Sequence, residues 1–404
     1  MKTAKDYPID FVKPLELCFT MLNNCNIRFF DEHVESLKKY WSKFFSIFCV
    51  LIYYGSLTVF VVQILFNGTK GADMTITVPV YMIATQAILK MIVLILNKKE
   101  IKSIINELGN MWRTDLTEEQ MNKENILLKK LDLCQKILSC TSLLGAWIYS
   151  LAPLLGTLLY RFVLDQDCAL LLPFPCSYPF DATSNWVVYL GVYLFEVYSN
   201  FHLVYAYMGT EFLIVALYSH LVTEFTILRE DLLNMKPVSN QTDAEEDHTE
   251  ITIANIVKKH QKLTIISKQL DSIFNKINFI ILLFATIIIC FFAFGCKVAH
   301  EIVFMMVNYL AVTGMLVPLF ILCYYGELLR TESVGIADST YSNLWYKGGK
   351  RYQTSVLLII AQEPCCLTSL NYAPITLNTF SKVKLFLCSN NNNIIIITTL
   401  SPNG

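Results

Sequence analysis

The chain has 404 residues, of which 54% are hydrophobic and only 16% are charged, a composition too apolar for an ordinary soluble protein. A net charge of −1 identifies no partner, and the lack of a basic patch with interleaved aromatic residues argues against binding to nucleic acid. The six histidines are scattered, and no Ser/His/Asp, paired-carboxylate or metal-ligand spacing is present, so the sequence predicts no enzyme, cofactor or metal site.

Seven apolar runs are long enough to cross a bilayer, which takes about 20 residues in a helix. They predict an all-α seven-transmembrane helix bundle, with spans at 44–66, 76–96, 137–160, 186–217, 277–298, 302–325 and 354–387. Spans one to four thus occupy 44–218, and spans five and six occupy 277–325. The segments predicted outside the membrane are an N-terminal segment at 1–43, a loop with helical extensions at 219–276, an amphipathic helix at 326–353 and a tail at 388–404.

The second and seventh runs carry unusual polar residues. Lys90 is the one charge in the second run, and its place near the end of the run predicts that it snorkels to the interface. The seventh run is broken by Pro364 and Pro374 and is rich in hydroxyl and amide side chains. Because such a segment survives at membrane depth only beside protein or water, the seventh run is predicted to line a watery path.

The distribution of lysine and arginine predicts the orientation. The N-terminal segment and the even-numbered loops hold 26 of these residues, and the opposite loops hold only Lys70, Arg161 and Lys297. The N-terminus is therefore expected in the cytosol and the C-terminus outside. This orientation is opposite to that of G-protein-coupled receptors, whose sequence landmarks are also absent from the chain.

Two covalent modifications are predicted for the outer loops. Asn67-Gly68-Thr69 is an acceptor sequence for glycosylation, although its closeness to the end of span one leaves its use open. Cys168 and Cys176 share a Pro-rich outer loop in which a disulfide is chemically allowed, and whether they pair is also left open.

An ordered set of residues near the C-terminus resembles the last third of insect odorant receptors. The set comprises Gly326-Glu327, Glu332-Ser333, Ile336-Ala337, Tyr341, Trp345, Pro364, Leu367-Thr368, Pro374, Leu377 and Thr379-Phe380, and upstream the loop PFPCSYPFD at 173–181 and His260-Gln261. The resemblance covers nearly the whole chain up to Lys384. It implies a ligand-binding subunit of an odorant-gated, non-selective cation channel that forms a heterotetramer with the odorant co-receptor. Its place would be the plasma membrane of a sensory-neuron dendrite, surrounded by lipid, where it would bind a small volatile ligand.

Two other functions stay open. A gustatory receptor of the same superfamily is disfavoured because the ending PITLNTF at 374–380 replaces the tyrosine-bearing motif expected there. A secondary transporter would be expected to show internal repeats and an ion site at the midplane, and the sequence shows no repeat.

The resemblance places a ligand pocket in the outer halves of spans two to six, where the chain is apolar and aromatic with few polar anchors. The candidate residues are Tyr81, Met82, Thr85, Trp147, Tyr149, Ser150, Tyr189, Tyr193, Glu196, Met305, Asn308 and Tyr309. Simple packing, or a place in the interfacial aromatic belt, stays open for each of them.

Glu196 is the most unusual of these candidates, because it lies roughly 15 Å into span four at 1.5 Å per residue. An intramembrane carboxylate marks a functional site by default. Four roles stay open for it: contact with a ligand, a pair with Lys90, a pair with His202, and a protonated form against neighbouring backbone.

The resemblance also implies that span seven lines the ion path. Leu377, Phe380, Val383 and Lys384 recur at helical spacing and are the candidate pore residues. After Lys384 the family continues with mostly apolar helix residues that include its hydrophobic gate. This chain instead reads LFLCSNNNNIIIITTLSPNG, and four consecutive asparagines oppose a membrane helix, so an altered or missing gate is expected.

Overall fold

The structure, a computed structural model, describes residues 7–29, 37–67, 71–159, 161, 170–235, 243–298 and 302–390. Helices make up most of this part of the chain, as the sequence predicted: α1 (Ile9–Asn24), α2 (Leu37–Asn67), α3 (Gly71–Leu96), α4 (Lys98–Met111), α5 (Glu118–Leu158), α6 (Trp186–Asn234), α7 (Asp243–Val298), α8 (Ile302–Ser342), α9 (Lys350–Ile360) and α10 (Leu377–Asn390). Between α9 and α10 lie two antiparallel two-residue strands, β1 (Thr368–Ser369) and β2 (Ala373–Pro374).

Six of the described helices, namely α2, α3, α5, α6, α7 and α8, are long and apolar enough to cross a membrane. α6 lies at their centre, because 94% of its most apolar window is buried, against 11% to 33% in the other five. Every side chain from 206 to 225 is buried, so this helix is covered by protein on all sides.

Beyond their apolar parts, α5 to α8 continue as long extensions that pack with α1, α4 and α9. We call this region the anchor end; it comprises α1, α4, α9 and residues 118–136, 219–234, 243–276 and 326–342. Ion pairs tie the extensions together, as between Arg229 of α6 and Glu332 of α8 at 3.3 Å. Arg229 also donates to Ser339 of α8, which explains why α6 and α8 stay in register over this length.

α1 is attached to the anchor end by an apolar stripe. The buried residues recur at intervals of four, three and four, which places them on one face of the helix against α6: Phe11, Leu15, Cys18 and Leu22. His220 of α6 fixes the position of this face, since its two ring nitrogens lie 2.6 Å from the Ala216 carbonyl oxygen and 2.8 Å from that of Phe11.

The run predicted as span seven, 354–387, is divided between two regions of the molecule. Its apolar start belongs to α9, where Val356 and Ile359 are buried in contact with α7 and α8 at the anchor end. α10 alone then runs back along α8, because Ile375 lies against Gly326 and Phe380 against Phe320. With 14 residues it is about 21 Å long, and it completes the predicted seven-helix bundle.

Candidate functional site

The loop between α5 and α6, described from Leu170, closes the end of the bundle opposite the anchor end. Asn185 ends this loop and caps α6, since its Oδ1 accepts the Val187 N–H at 2.9 Å. Tyr189 in the first turns of α6 donates to the Leu171 carbonyl at 2.8 Å. The loop is thereby held close to the helix that follows it.

Glu196 forms the most buried attachment of this loop. Its side chain is fully buried; Oε2 accepts the Phe174 N–H at 3.2 Å, and Oε1 accepts the Tyr178 hydroxyl at 2.9 Å. Burial raises the pKa of the Tyr178 phenol well above its ordinary value, and nearby Cys176 and Glu196 raise it further, so Tyr178 stays a donor at physiological pH. Both carboxylate oxygens therefore have protein donors.

This finding corrects two of the predicted partners. Glu196 pairs with neither Lys90 nor His202, because its acceptors are occupied by the loop. Lys90 does not snorkel either: it is fully buried and forms an ion pair with Glu211 of α6. Its ammonium group also lies 3.9 Å from the centroid of the Tyr207 ring.

Aromatic rings surround the hydrogen bonds between Glu196 and the loop. Together with Ser150 and Glu196 they form a set that we call the loop cluster: Tyr53, Tyr149, Ser150, Phe174, Tyr178, Tyr189, Tyr193 and Glu196. The Phe174 ring lies 5.7 Å from the Tyr53 ring and 5.4 Å from the Tyr149 ring. Tyr193 donates to the Ser150 carbonyl, which joins α6 to α5. Five predicted ligand residues, Tyr149, Ser150, Tyr189, Tyr193 and Glu196, are thus brought together.

The remaining predicted ligand residues lie in other places. Tyr81 stacks on Tyr54 of α2 with ring centroids 5.4 Å apart, and the Tyr54 hydroxyl lies 3.1 Å from Thr85 Oγ1. Met82 is half-buried on the same helix, α3. Trp147 packs against Phe201 and is half exposed.

The three candidates on α8 divide between two faces. Asn308 is buried over Gly295 of α7, where its Oδ1 lies 2.8 Å from the position of an added Cβ. Met305 and Tyr309 are exposed in the single chain by 44% and 39%. These two side chains therefore point away from the packed interior of the chain.

The segment before α10 is fastened to α7. The Thr368 N–H and hydroxyl donate to the two carboxylate oxygens of Asp271 at 2.6 and 2.7 Å, and Asn275 donates to the Asn371 side chain at 2.6 Å. Leu370 and Asn371 have φ of 50° and 62°, so the turn between the strands is left-handed. We call this strand pair with its three α7 partners, Asp271, Asn275 and Asn278, the hairpin latch.

The hairpin latch corrects the interpretation of the polar residues between Pro364 and Pro374. The sequence predicts their hydroxyl and amide groups on a helix lining a watery path, but they form a hairpin beside the anchor end. The Thr368 carbonyl, for example, accepts a hydrogen bond from the Asn278 side-chain amide of α7 at 3.2 Å. The physical reason is that proline and left-handed residues interrupt helix hydrogen bonding, and α7 supplies the missing partners.

On α10, the predicted pore residues Leu377, Phe380 and Val383 are half-buried, and the last two pack against the core of the chain. The Phe380 ring lies 5.4 Å from the Phe320 ring of α8. The opposite face is exposed and polar, with Asn378, Ser381 and Lys382 at helical spacing.

Four predicted features stay untested because they fall on side chains outside the described residues. These are the Lys384 pore contact, the Asn67 glycosylation, the partner Cys168 in the disulfide with Cys176, and the tail from 391 onward. They remain predictions.

Several residues of the loop cluster and of the hairpin latch are not among the site residues predicted from the sequence. Phe174 and Tyr178 stood in the recognised Pro-rich loop, but nothing in the loop indicated that its N–H and hydroxyl groups face Glu196. Asp271, Asn275 and Asn278 recur at intervals of four and three, and this polar stripe on an otherwise apolar helix face was a detectable signal.

A known protein family and several of its members match most of this chain. A family model described as 7tm Odorant receptor matches residues 70–386. Putative odorant receptor 92a of Drosophila melanogaster is 21% identical over 364 residues, which cover 87% of this chain and 87% of that protein. Odorant receptor 67c of the same species is 24% identical over 302 residues, or 73% of this chain and 72% of the relative.

Solved structures agree with the fold. The insect olfactory receptor OR5 from Machilis hrabei superposes with a TM-score of 0.76 at 15% identity, covering 95% of this chain and 97% of that one. The same receptor in complex with eugenol gives a TM-score of 0.76 over 94% of this chain. At this identity the likeness establishes the arrangement of helices.

Proposed function

Because this chain belongs to the insect odorant-receptor family, a class of receptors and not of enzymes, we propose that it is the ligand-binding subunit of an odorant-gated, non-selective cation channel. In this proposal it works with the odorant co-receptor in a heterotetramer. The multi-pass helices hold it in the membrane, and the membrane is the plasma membrane of a sensory-neuron dendrite. The observation that carries the proposal is the loop cluster, a buried aromatic group that a loop closes from one end.

The loop cluster supports recognition of a small volatile molecule. Its side chains are mostly aromatic, and its polar groups are few and placed by hydrogen bonds, which is the composition of sites that bind by shape and dispersion. The similar OR5 binds eugenol, a small aromatic molecule. We therefore place ligand contact at Tyr149, Ser150, Tyr189 and Tyr193.

The ion path is proposed to run along α10. Its exposed polar face at Asn378, Ser381 and Lys382 supports this role, because a helix facing only lipid has no use for such side chains. Leu377, Phe380 and Val383 then set the packing of α10 against α8, beside the path. A ligand opens the path by binding the open arrangement of α10 more tightly than the closed one.

The channel proposal is tested by recording from cells that express this chain with and without the co-receptor while a panel of volatiles is applied. A cation current evoked by at least one volatile is expected only on co-expression. Substrate-coupled uptake without channel current would favour a transporter, and current evoked by non-volatile tastants alone would favour a gustatory receptor.

A silent Lys382→Glu variant that reaches the surface, or one with altered ion selectivity, would locate the path at α10, and an unchanged current would remove it from there.

The proposed orientation places the N-terminus and the anchor end in the cytosol. It rests on the excess of Lys and Arg in the segments on that side. An epitope tag at the N-terminus is expected to bind antibody only after the cells are permeabilised. Labelling of intact cells would reject the orientation.

Replacing Glu196 by glutamine is expected to weaken responses to every volatile in the panel by roughly tenfold in potency, since a charge-assisted hydrogen bond contributes about 1.5–3 kcal/mol. The loss of the carboxylate loosens the loop at Phe174 and Tyr178. Tyr178→Phe removes one of the same bonds and is expected to give a smaller shift in the same direction. Dose–response curves on co-expressing cells measure both effects.

Asp181→Asn is the matched control, because it makes the same chemical change in the same loop at an exposed side chain whose two hydrogen bonds, from the Thr183 N–H and hydroxyl, can still be accepted by the amide oxygen. Its curves are expected to stay within a factor of two to three, as for most surface changes. If Glu196→Gln affects only volatiles that carry a hydroxyl or amine, Glu196 contacts the ligand directly. An unchanged panel would remove Glu196 from both roles.

A further inference from the structure

A cleft at the anchor end carries four cationic side chains that the proposed channel function does not use. It lies between the end of α4 and the middle of α7, with a volume of about 270 Å³, and we call it the basic cleft. The residues that line it are Met111, Arg113, Lys258, Lys259 and Lys262. Its volume is close to the roughly 300 Å³ at which small-molecule sites begin.

Two of the cations are held in position by carboxylates of α6. Arg113 forms an ion pair with Asp231 at 2.9 Å, and Lys259 forms one with Glu224 at 2.5 Å. The Arg113 Nε–H is buried and has no hydrogen-bond acceptor in the described part of the chain. Because a buried donor without an acceptor costs free energy, the Arg113 guanidinium keeps one donor that an anion bound in the cleft could satisfy.

The other two cations form the rim. Lys258 and Lys262 are exposed and lie four residues apart, on the same side of α7. Neither forms an ion pair with any residue that the structure describes. Like charges one helical turn apart repel each other, so an anion between them removes an unfavourable interaction as well as adding favourable ones.

We propose that the basic cleft binds a small molecule carrying two or more phosphate groups. Guanidinium and ammonium donors match phosphate oxygens, and Arg113, whose two terminal nitrogens bind Asp231, lies beside three lysines. Met111 is the one apolar residue of the lining, so an acidic peptide finds no hydrophobic anchor there. The chemistry therefore favours a compact polyanion.

The distance of the cleft from the membrane favours a soluble molecule over a lipid headgroup. Lys262 lies 15 residues before the start of the apolar part of α7 at 277, which is about 22 Å along a helix. An inositol polyphosphate in solution reaches this position directly, whereas the headgroup of a phosphoinositide has to extend well out of the bilayer. Both sources share the same phosphate chemistry, and the experiment separates them.

Binding is tested on the full-length receptor purified in detergent, with inositol hexakisphosphate as the soluble probe and titration calorimetry as the readout. The Lys258→Gln/Lys262→Gln variant is expected to bind at least roughly tenfold more weakly than the unchanged receptor. Both positions are exposed, so the variant is expected to keep the thermal stability of the parent. Lys268→Gln, an exposed lysine of α7 outside the cleft, is the control and is expected to bind like the parent.

A second arm offers vesicles of phosphatidylcholine with 5% phosphatidylinositol bisphosphate to the receptor reconstituted in nanodiscs. Capture of these vesicles with loss in the double variant, and no binding of the soluble probe, would support the phosphate site and assign it to a lipid. Equal binding by the parent, the double variant and the control would overturn the proposal, as would binding by none of them. Displacement of the probe by a polyglutamate peptide at equal charge concentration would overturn the assignment to phosphate.

Discussion

Replacing Lys90 by methionine is expected to abolish delivery of the receptor to the cell surface. Lys90 is fully buried on α3, and its ion pair with Glu211 of α6 lies inside the bundle. Removing one partner leaves a buried charge without compensation, which costs about 3–5 kcal/mol. Surface biotinylation and the melting temperature of the purified receptor both measure this loss.

The double variant Lys90→Met/Glu211→Leu is the decisive comparison. Replacing both charges by apolar side chains removes the uncompensated carboxylate, and such replacements are often neutral or stabilising. Surface expression is therefore expected to return. Lys136→Met is the control, because its pair with Asp132 at 2.8 Å is exposed and such pairs contribute at most about 1 kcal/mol. A double variant as defective as the single one would show that Lys90 has a role other than balancing Glu211.

Replacing Gly326 by alanine is expected to reduce ligand-evoked current strongly while much of the protein still reaches the surface. An added Cβ would lie 2.4 Å from the Ile375 carbonyl oxygen, a backbone atom of the segment that leads directly into α10. The first turn of α10 must then shift away from α8. Overpacking of this kind costs about 1–3 kcal/mol, so the fold is expected to survive with α10 displaced.

Gly314→Ala provides a control on the same helix. Nothing lies within 4 Å of a Cβ added at this position, so the substitution keeps or slightly improves α8. Its current is expected to match that of the unchanged receptor. If both variants conduct equally when normalised to surface protein, the contact of Gly326 with Ile375 does not position α10.

The helices could be predicted well because their signals are local. Runs of about 20 apolar residues identified the six long spans, and Asn185 and Thr117 supply side-chain caps where α6 and α5 begin. The seventh span was predicted as one broken run because the apolar residues at 355–360 are not distinguishable by composition from a membrane segment. Only their contact with α7 and α8 assigns them to the anchor end.

The sequence indicated several members of the loop cluster but not their connections. Five of the ligand candidates meet in the loop cluster, because the resemblance had placed them toward one end of α5 and α6, and their contact with a ligand stays a prediction. Of the roles left open for Glu196, the pairs with Lys90 and with His202 are contradicted, and so is the snorkelling of Lys90. Pairing depends on which faces of three helices meet, and one chain gives no signal for that. Glu211, the true partner of Lys90, was not considered.

The chain order of the partners of α6 has a consequence for biosynthesis. In the apolar part of α6, Glu196 and Glu211 find their partners in segments that the ribosome has already completed, Tyr178 and Lys90. The partners of Glu224 and Arg229, which are Lys259 and Glu332, are translated later. Glu224 and Arg229 lie in the polar extension of α6, however, where water can solvate them until those partners are made. The central helix can therefore leave the translocon with the Glu211 charge already paired and the Glu196 carboxylate already hydrogen-bonded, and it never has to expose a bare carboxylate to lipid.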